Sequence, residues 1–198
     1  MKNIPKTLRD TLGKIADLHN LSLIKISGAD SSRTKKFLFK LSTGEMIESV
    51  LMHDKDRVTA CLSTQVGCAM DCYFCATAEM GFKKNISAGE ITDQFLLLQQ
   101  HTKKPITNVV FMGMGEPFLN YDAVIKSAKL LNDLKGIGLG ARRITISTVG
   151  IVPKILQYTK EKHKFKLAIS LNGSTQEQRL QTMPIAKKFP IQALMDAA

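Results

Sequence analysis

The hydrophobic pattern divides the chain into residues 1–53 and 54–198. In the first part, apolar residues recur at helical spacing at Leu8, Leu12, Ile15 and Leu18. A short strand is predicted at 21–26. Two apolar runs at 36–41 and 46–52, separated by Ser-Thr-Gly-Glu, predict a β-hairpin. We therefore expect residues 1–53 to form a small N-terminal α+β accessory segment.

From residue 54 onward, apolar strand patterns alternate with helical patterns. Strands are predicted at 58–66, 106–112, 143–148 and 166–171, and helices at 87–100, 122–134, 151–162 and 175–181. Ser87-Ala-Gly-Glu90 matches a capping box at the start of the first of these helices. The alternation predicts an α/β fold with a parallel sheet and right-handed crossovers. Because four strands do not close a barrel, we expect a partial (β/α) barrel and a chain that is part of a longer protein.

The chemically suggestive residues of 54–198 follow the predicted strands. A cysteine cluster follows the first strand, and a Gly-Met-Gly-Glu-Pro turn at 113–117 follows the second. Ser147 and Ser170 stand near the ends of the third and fourth strands. The carboxyl ends of parallel strands meet at one edge of a sheet, where ligands bind. We therefore expect a single site at this edge.

Three cysteines follow the spacing Cys-x3-Cys-x2-Cys, at Cys68, Cys72 and Cys75. Thiolates hold iron–sulfur clusters, and a [4Fe–4S] cluster held by three of them keeps one iron open for a reactant. The alternative is a structural zinc site with Cys61 as its fourth thiolate. Zinc ribbons, however, usually combine two Cys-x2-Cys knuckles from separate turns. The spacing favours the cluster and leaves the zinc site as an open alternative.

Composition adds an argument about partners. The chain has 198 residues, of which 44% are hydrophobic and 23% charged, as is ordinary for a globular protein. Lys and Arg number 28 against 17 Asp and Glu, and the net charge of +11 favours a polyanionic partner such as nucleic acid. No apolar run approaches the roughly 20 residues of a membrane span, and no signal-peptide core is present. We expect a cytoplasmic protein with no membrane partner.

The longer motifs resemble those of a known family. The cysteine triplet followed by the turn at 113–117 is similar to the radical S-adenosylmethionine (SAM) enzymes. The string Cys-Leu-Ser-Thr-Gln-Val-Gly-Cys that ends at Cys68 is more specific, and it resembles the RNA adenine methyltransferases of the RlmN and Cfr group. So do Arg-Arg-Ile-Thr-Ile-Ser-Thr at 142–148 and Leu-Ala-Ile-Ser-Leu at 167–171. The resemblance covers nearly the whole chain and is closer to RlmN than to Cfr.

The resemblance implies a role for each candidate site residue. Cys68, Cys72 and Cys75 would ligate a [4Fe–4S] cluster whose open iron binds the amino and carboxylate groups of SAM. Cys61 would be a catalytic cysteine that helps to resolve a protein–RNA adduct, and Glu48 a proton acceptor. The expected SAM contacts are Gly115, Glu116, Ser147, Ser170, Leu171 and Asn172, the last of which stands where many relatives have histidine.

The activity that the resemblance implies is methylation of carbon 2 of adenine in 23S rRNA and tRNA by a radical-SAM barrel. A 5′-deoxyadenosyl radical would take hydrogen from a methyl group carried on a second cysteine, and the resulting carbon radical would add to the base. An external electron donor and a monomeric protein are expected. The family's methyl-carrying cysteine lies near its C-terminus, whereas this chain has no cysteine after Cys75. We therefore expect these 198 residues alone to bind the cofactors without methylating RNA.

Three other interpretations stay open at the level of sequence. The first is a non-catalytic, basic RNA-binding domain stabilised by zinc. The second is a Cfr-like enzyme that methylates carbon 8 of the same adenine. The third is a different radical SAM enzyme that acts on a small molecule. Bound iron and labile sulfide distinguish the cluster from zinc, and retention on RNA at low salt distinguishes an RNA substrate from a small molecule.

Overall fold

The computed structural model of the chain describes residues 4–16 and 19–198. The strands in these residues are β1 (Leu21–Ser27), β2 (Thr34–Leu41), β3 (Met46–Asp54), β4 (Arg57–Cys61), β5 (Gln65–Val66), β6 (Lys84–Asn85), β7 (Asn108–Phe111), β8 (Ile144–Thr148) and β9 (Lys166–Ile169). The α-helices are α1 (Lys6–Ile15), α2 (Ala76–Glu79), α3 (Ala88–Gln100), α4 (Tyr121–Asn132), α5 (Val152–Lys160), α6 (Gln176–Thr182) and α7 (Ile191–Ala197). Short 3-10 turns cover Pro117–Asn120, Ala141–Arg143 and Pro184–Lys187.

The N-terminal strands form an antiparallel meander. β1 pairs with β2 and β2 pairs with β3, so the predicted hairpin at 36–52 is confirmed. Phe37 and Phe39 point toward the core and are fully buried, whereas Lys36 and Lys40 alternate with them on the exposed face. The predicted N-terminal helix is present as α1, although Leu18, the last of its apolar positions, lies outside the described residues.

The second part has the predicted parallel strands, except that the strand predicted at 58–66 ends at Cys61, and residues 65–66 pair with β6 in a separate two-stranded sheet. β4, β7, β8 and β9 pair in parallel and in this order, which confirms an α/β fold. Ser87 and Glu90 form both hydrogen bonds of the capping box at the start of α3. The Glu90 N–H donates to Ser87 Oγ at 3.1 Å, and the Ser87 N–H donates to Glu90 Oε2 at 2.7 Å.

The two parts share one sheet. β3 pairs with β4 in antiparallel register, with Val50 opposite Cys61, so the seven strands follow the order β1-β2-β3-β4-β7-β8-β9. The sheet therefore runs across the boundary that the sequence pattern places between residues 53 and 54. Within the described residues the sheet is open, as in a partial barrel.

Helices cover one face of this sheet. Val58, Val109 and Ile146 point to that face, where they are fully buried against apolar residues of α3, α4 and α5. The opposite face, called the open face below, has a shallow depression lined by residues that include Thr59, Val110, Thr145 and Lys166. Parallel strands are usually buried on both faces. Here the alternation of buried and half-exposed positions follows from cover on one face only.

None of the helices described in residues 4–16 and 19–198 is both long enough and apolar enough to span a membrane.

Candidate functional site

The loop that carries the three cysteines is fixed at its base by a short antiparallel pair, β5 with β6. The Lys83 N–H donates to Val66 O at 2.9 Å, and the Cys68 N–H donates to Gly81 O at 3.2 Å. Gly67 has φ +72°, and a Cβ there would lie 1.6 Å from Gly81 O. Only glycine permits this approach of the two backbones. The loop that contains Cys68 is therefore held at both ends by local backbone contacts.

Asn120 ties the two chain segments at the base of this loop. Its buried Nδ2 donates to Thr64 O and to Ile86 O, both at 2.7 Å. Thr64 lies just before β5 and Ile86 just after β6, so one amide group bridges the entrance and the exit of the cysteine loop.

Inside the loop, the three cysteines line one cavity of about 240 Å³, called the thiol cavity below. The Cys75 N–H donates to Cys72 O at 3.0 Å, and α2 begins directly after Cys75. Burial, and secondarily the neighbouring Cys68, raises the pKa of the Cys72 thiol to about 11. Burial likewise raises the pKa of Cys68. Apolar side chains that line the same cavity are Met70, Phe74, Phe111 and Met112.

The turn at residues 113–117 forms a second wall of the thiol cavity and lies against the segment that enters the cysteine loop. The N–H groups of Thr64 and Gln65 both donate to Met114 O, at 2.8 and 3.2 Å. Gly115 has φ +96°, and a Cβ there would lie 2.5 Å from Gln65 Cβ. This glycine is therefore required by contact with a neighbouring protein segment as well as by its left-handed backbone conformation.

Glu116 is the buried acid of this wall, with 2% of its surface exposed. Its Oε1 accepts from the Phe118 N–H at 3.0 Å and its Oε2 from the Val149 N–H at 2.9 Å. Its own N–H donates to Gln65 Oε1 at 2.8 Å. Burial raises the pKa of Glu116, and hydrogen bonds from Thr148 and from the two backbone groups oppose that rise. The carboxylate links the turn to the end of β8 and keeps lone pairs for a further donor.

Residues that follow β8 and β9 complete the cavity. Ser147, Ser170 and Asn172 line it, and the hydroxyl oxygens of the two serines are 3.4 Å apart. Asn172 has φ +49°, a left-handed conformation that asparagine tolerates better than most residues. Leu171, also expected to contact SAM, does not line the cavity. Its carbonyl accepts a 2.5 Å hydrogen bond from Arg179.

The two residues expected to be catalytic do not line the thiol cavity, although Cys61 hydrogen-bonds to the backbone of Met112, which does. Cys61 is 8% exposed on β4, and burial raises its pKa to about 11. Glu48 lies on β3 and forms a half-exposed ion pair with Lys36, with Glu48 Oε1 2.9 Å from Lys36 Nζ. Cys61 is opposite Val50, two residues from Glu48, so both side chains belong to the open face of the sheet. Their catalytic roles remain predictions.

Sequence reasoning missed several residues that hold the site together. Asn120 and Gln65 act through hydrogen bonds to backbone groups that only the folded chain brings near. Arg179 is 1% exposed, and its guanidinium donates to carbonyls after β8 and β9. An arginine in a short polar helix carries no sequence signal of burial, whereas Phe74, beside the last cysteine, could have been assigned to the site from its position.

The set of donors fits a cluster better than a single ion. Cys61 is absent from the lining of the thiol cavity. Among residues 4–16 and 19–198, no group of three His, Cys, Asp or Glu side chains gathers close enough to hold one metal ion. A single zinc would bring all its sulfurs to about 2.3 Å from one point. A [4Fe–4S] cluster spreads its thiolates over separate irons, which suits Cys68, Cys72 and Cys75 on a loop that opens into a cavity.

Comparisons with known proteins agree with this geometry. The family model of the radical SAM superfamily matches residues 62–197. A protein of Dictyoglomus thermophilum named "Probable dual-specificity RNA methyltransferase RlmN" is 44% identical over 201 residues, which cover 100% of this chain and 57% of that relative. A protein of the same name from Thermotoga maritima is 46% identical over 199 residues, with the same coverage.

A solved structure gives the same result for the fold. The crystal structure of a radical SAM methyltransferase from Sphaerobacter thermophilus superimposes with a TM-score of 0.89 at 40% identity, over 99% of this chain and 58% of that one. This chain thus spans less than three fifths of the length of these relatives. Members of the superfamily use SAM and a [4Fe–4S] cluster, in agreement with the three thiols of the cavity. The chain belongs to the radical SAM superfamily.

Proposed function

We propose that the protein containing this chain methylates carbon 2 of an adenine in 23S rRNA and in tRNA. The observation that carries the proposal is the thiol cavity itself. It combines three thiols on a fixed loop with Glu116 and the serines that follow β8 and β9. The relatives at 44% and 46% identity, named as dual-specificity RNA methyltransferases, support the reaction class. The net charge of +11 supports a polyanionic substrate.

In this proposal, Cys68, Cys72 and Cys75 hold the cluster. With SAM bound, the cluster supplies a carbon-centred radical that can abstract hydrogen from an unactivated methyl group. The SAM contacts proposed are Gly115, Glu116, Ser147, Ser170, Leu171 and Asn172.

The chain's own groups suit these tasks. The Glu116 carboxylate is held by two backbone N–H groups and can accept a further hydrogen bond from an ammonium group. The hydroxyls of Ser147 and Ser170 can each donate one hydrogen bond and accept others. Phe74 and Met112 add apolar surface to the cavity, which helps to exclude water from a reactive intermediate.

Cys61 and Glu48 are proposed to act on the RNA. A thiol whose pKa is raised to about 11 stays protonated at neutral pH, so Cys61 would need to lose its proton to a base before it attacks a protein–RNA adduct. Glu48 is proposed as the acceptor of the proton that leaves the adenine. It lies on the same open face of the sheet, where an approaching base could reach both residues. The reaction is proposed for a cytoplasmic monomer that receives electrons from an external donor.

The test has two stages. The chain is first reconstituted anaerobically with iron and sulfide, and bound iron, labile sulfide and zinc are measured beside a Cys72→Ala variant. We expect about four irons and four sulfides per chain, lost in the variant. About one zinc per chain without sulfide would instead support the zinc-stabilised RNA-binding domain.

The second stage is performed with the full-length protein that contains this chain. It is incubated with SAM, a reductant and either 23S rRNA fragments or tRNA, and the digested nucleosides are analysed by mass spectrometry. The product expected is 2-methyladenosine. 8-Methyladenosine would support the Cfr-like alternative, and methylation of neither RNA by a protein that cleaves SAM would support a different substrate.

A further inference from the structure

Arg179 is a buried cation beside the thiol cavity. It lies on α6 with 1% of its surface exposed. Its Nη1 donates to Ser170 O at 3.0 Å and to Leu171 O at 2.5 Å, and its Nη2 donates to Val149 O at 3.3 Å. All of these acceptors are neutral carbonyls. The buried Nε has no hydrogen-bond partner in the part of the chain that the structure describes.

A buried guanidinium without an anion is costly. Charges taken out of water are normally paired, because neutral acceptors compensate only part of the lost hydration. Burial lowers the pKa of Arg179, and the one opposing influence is the nearby Cys72, which raises it. Arginine nonetheless keeps its charge in proteins. The groups near Arg179 that can carry negative charge are therefore Cys72 of the cysteine loop and Glu116, whose carboxylate accepts from the N–H of Val149 while the carbonyl of Val149 accepts from Arg179.

Arg179 also joins the strand ends that carry the cavity residues. Val149 follows β8, and Ser170 and Leu171 follow β9, so one guanidinium holds both segments. The helix that carries Arg179 is in turn tied to the cysteine loop, because the Tyr73 N–H donates to Thr182 O at 3.0 Å. The side chain therefore lies at the junction of the cysteine loop and the turn at 170–172.

We infer that Arg179 is a positioning residue for both cofactors. Its charge offsets the negative charge of the thiolate-bound cluster, and its hydrogen bonds hold the turn at 170–172 against SAM. The inference rests on the cofactor part of the proposed function and is independent of the RNA substrate. The electrostatic role favours the reduced cluster, which carries one more negative charge, so the cation raises the reduction potential.

The experiment compares Arg179→Gln, which removes the charge, with Arg179→Lys, which keeps it without the planar fork. Arg142→Gln is the matched control, because Arg142 is exposed in the turn that precedes β8, at the opposite end of the strand. Each protein is reconstituted, its iron and sulfide are counted, and the cluster is titrated with a reductant under electron paramagnetic resonance. SAM affinity is measured separately on the oxidised protein, where no turnover occurs.

At the midpoint potential of the wild-type cluster, the ratio of reduced to oxidised cluster should be about tenfold or more lower in R179Q than in wild type. For a one-electron couple, a tenfold change in this ratio corresponds to a shift of about 59 mV in the reduction potential. R179K and R142Q should keep that ratio within about twofold of wild type. R179K should bind SAM at least about fivefold more weakly, because SAM must then order a turn that has lost one hydrogen bond, at a cost of about 1 kcal/mol. R142Q should bind SAM like wild type.

A loaded R179Q protein with the wild-type potential would overturn the electrostatic role. So would an R179K protein that shifts as far as R179Q, because shape and not charge would then be responsible. Should R179Q fail to fold, R179K decides alone: a wild-type potential with weakened SAM binding supports the inference, and any other combination refutes it. A wild-type chain that loads no cluster would overturn the cofactor assignment and this inference together. Loss of RNA methylation alone would affect neither.

Discussion

The bridge that Asn120 makes across the base of the cysteine loop predicts that this one amide controls cluster loading. Replacing Asn120 with alanine removes both 2.7 Å hydrogen bonds. Thr64 O still accepts a hydrogen bond from the Ile86 N–H at 3.3 Å, so loss of the bond from Asn120 to Thr64 O costs about 1 kcal/mol. Ile86 O is left without a donor among the described residues, at a cost of about 1–3 kcal/mol.

The sum is about 3 kcal/mol for N120A, which lowers the melting temperature by roughly 6–12 °C in a chain of this size. Asn120→Asp should cost more. It has nearly the same shape, but a carboxylate has no N–H to donate and faces two carbonyl oxygens from a buried position. Because the bridge joins the entrance and exit of the loop, both variants should also bind less iron than their stability alone implies.

The assay is urea unfolding of the apo-protein, followed by iron and sulfide analysis after reconstitution. Asn132→Ala is the matched control, because Asn132 lies on α4 and makes one 2.7 Å hydrogen bond to Leu139 O, far along the chain from the cysteine loop. It should cost about 1 kcal/mol and leave iron content unchanged. An N120D protein as stable as wild type, or equal loss of iron in N132A, would refute the reasoning.

Three further predictions concern single residues. Gly115→Ala should destabilise the apo-protein by about 2–4 kcal/mol, because alanine is strained at this positive φ and its Cβ would overlap with Gln65. The control is Gly140→Ala, which has open space around it and should change stability by less than about 0.5 kcal/mol. Equal melting temperatures of the two variants would contradict this prediction. The rate at which Cys61 is alkylated should rise steeply from pH 9 to about 11, because burial raises its pKa and the thiolate is the nucleophile. The rate is measured by mass spectrometry over time at each pH, and a rate that stops rising by pH 9 would refute this prediction. Ser87→Ala should cost about 1 kcal/mol in urea unfolding by removing the cap of α3, with iron content unchanged; a loss of iron would show that the cap supports the site.

The sequence pattern was sufficient for local structure. Alternation and helical spacing predicted the parallel strands in order, and the start of α3 was located because a capping box depends on two nearby residues. The clustering of the three cysteines with Ser147 and Ser170 followed from the topology of a parallel sheet.

Contacts between distant segments were not predictable in the same way. The pairing of β3 with β4 joins two parts whose patterns differ, and no local signal indicates which strand edge meets which. Arg179 and Asn120 are polar residues that composition assigns to the surface. They are buried because carbonyls of remote segments converge on them, and such convergence exists only after the chain has folded.

The pairing of β3 with β4 has a consequence for recombination between relatives. An accessory segment joined by a linker could be exchanged freely, but here residues 1–53 donate strands to the sheet that carries the cysteine loop. A chimaera cut near residue 54 must preserve the register in which Val50 faces Cys61. A slip of one residue would turn Glu48 toward the helix-covered face and bring Ile47 out in its place. A crossover before β1 leaves all seven strands with one parent, whereas a crossover after β4 keeps the β3–β4 register and leaves only the β4–β7 pairing to be matched between the two parents.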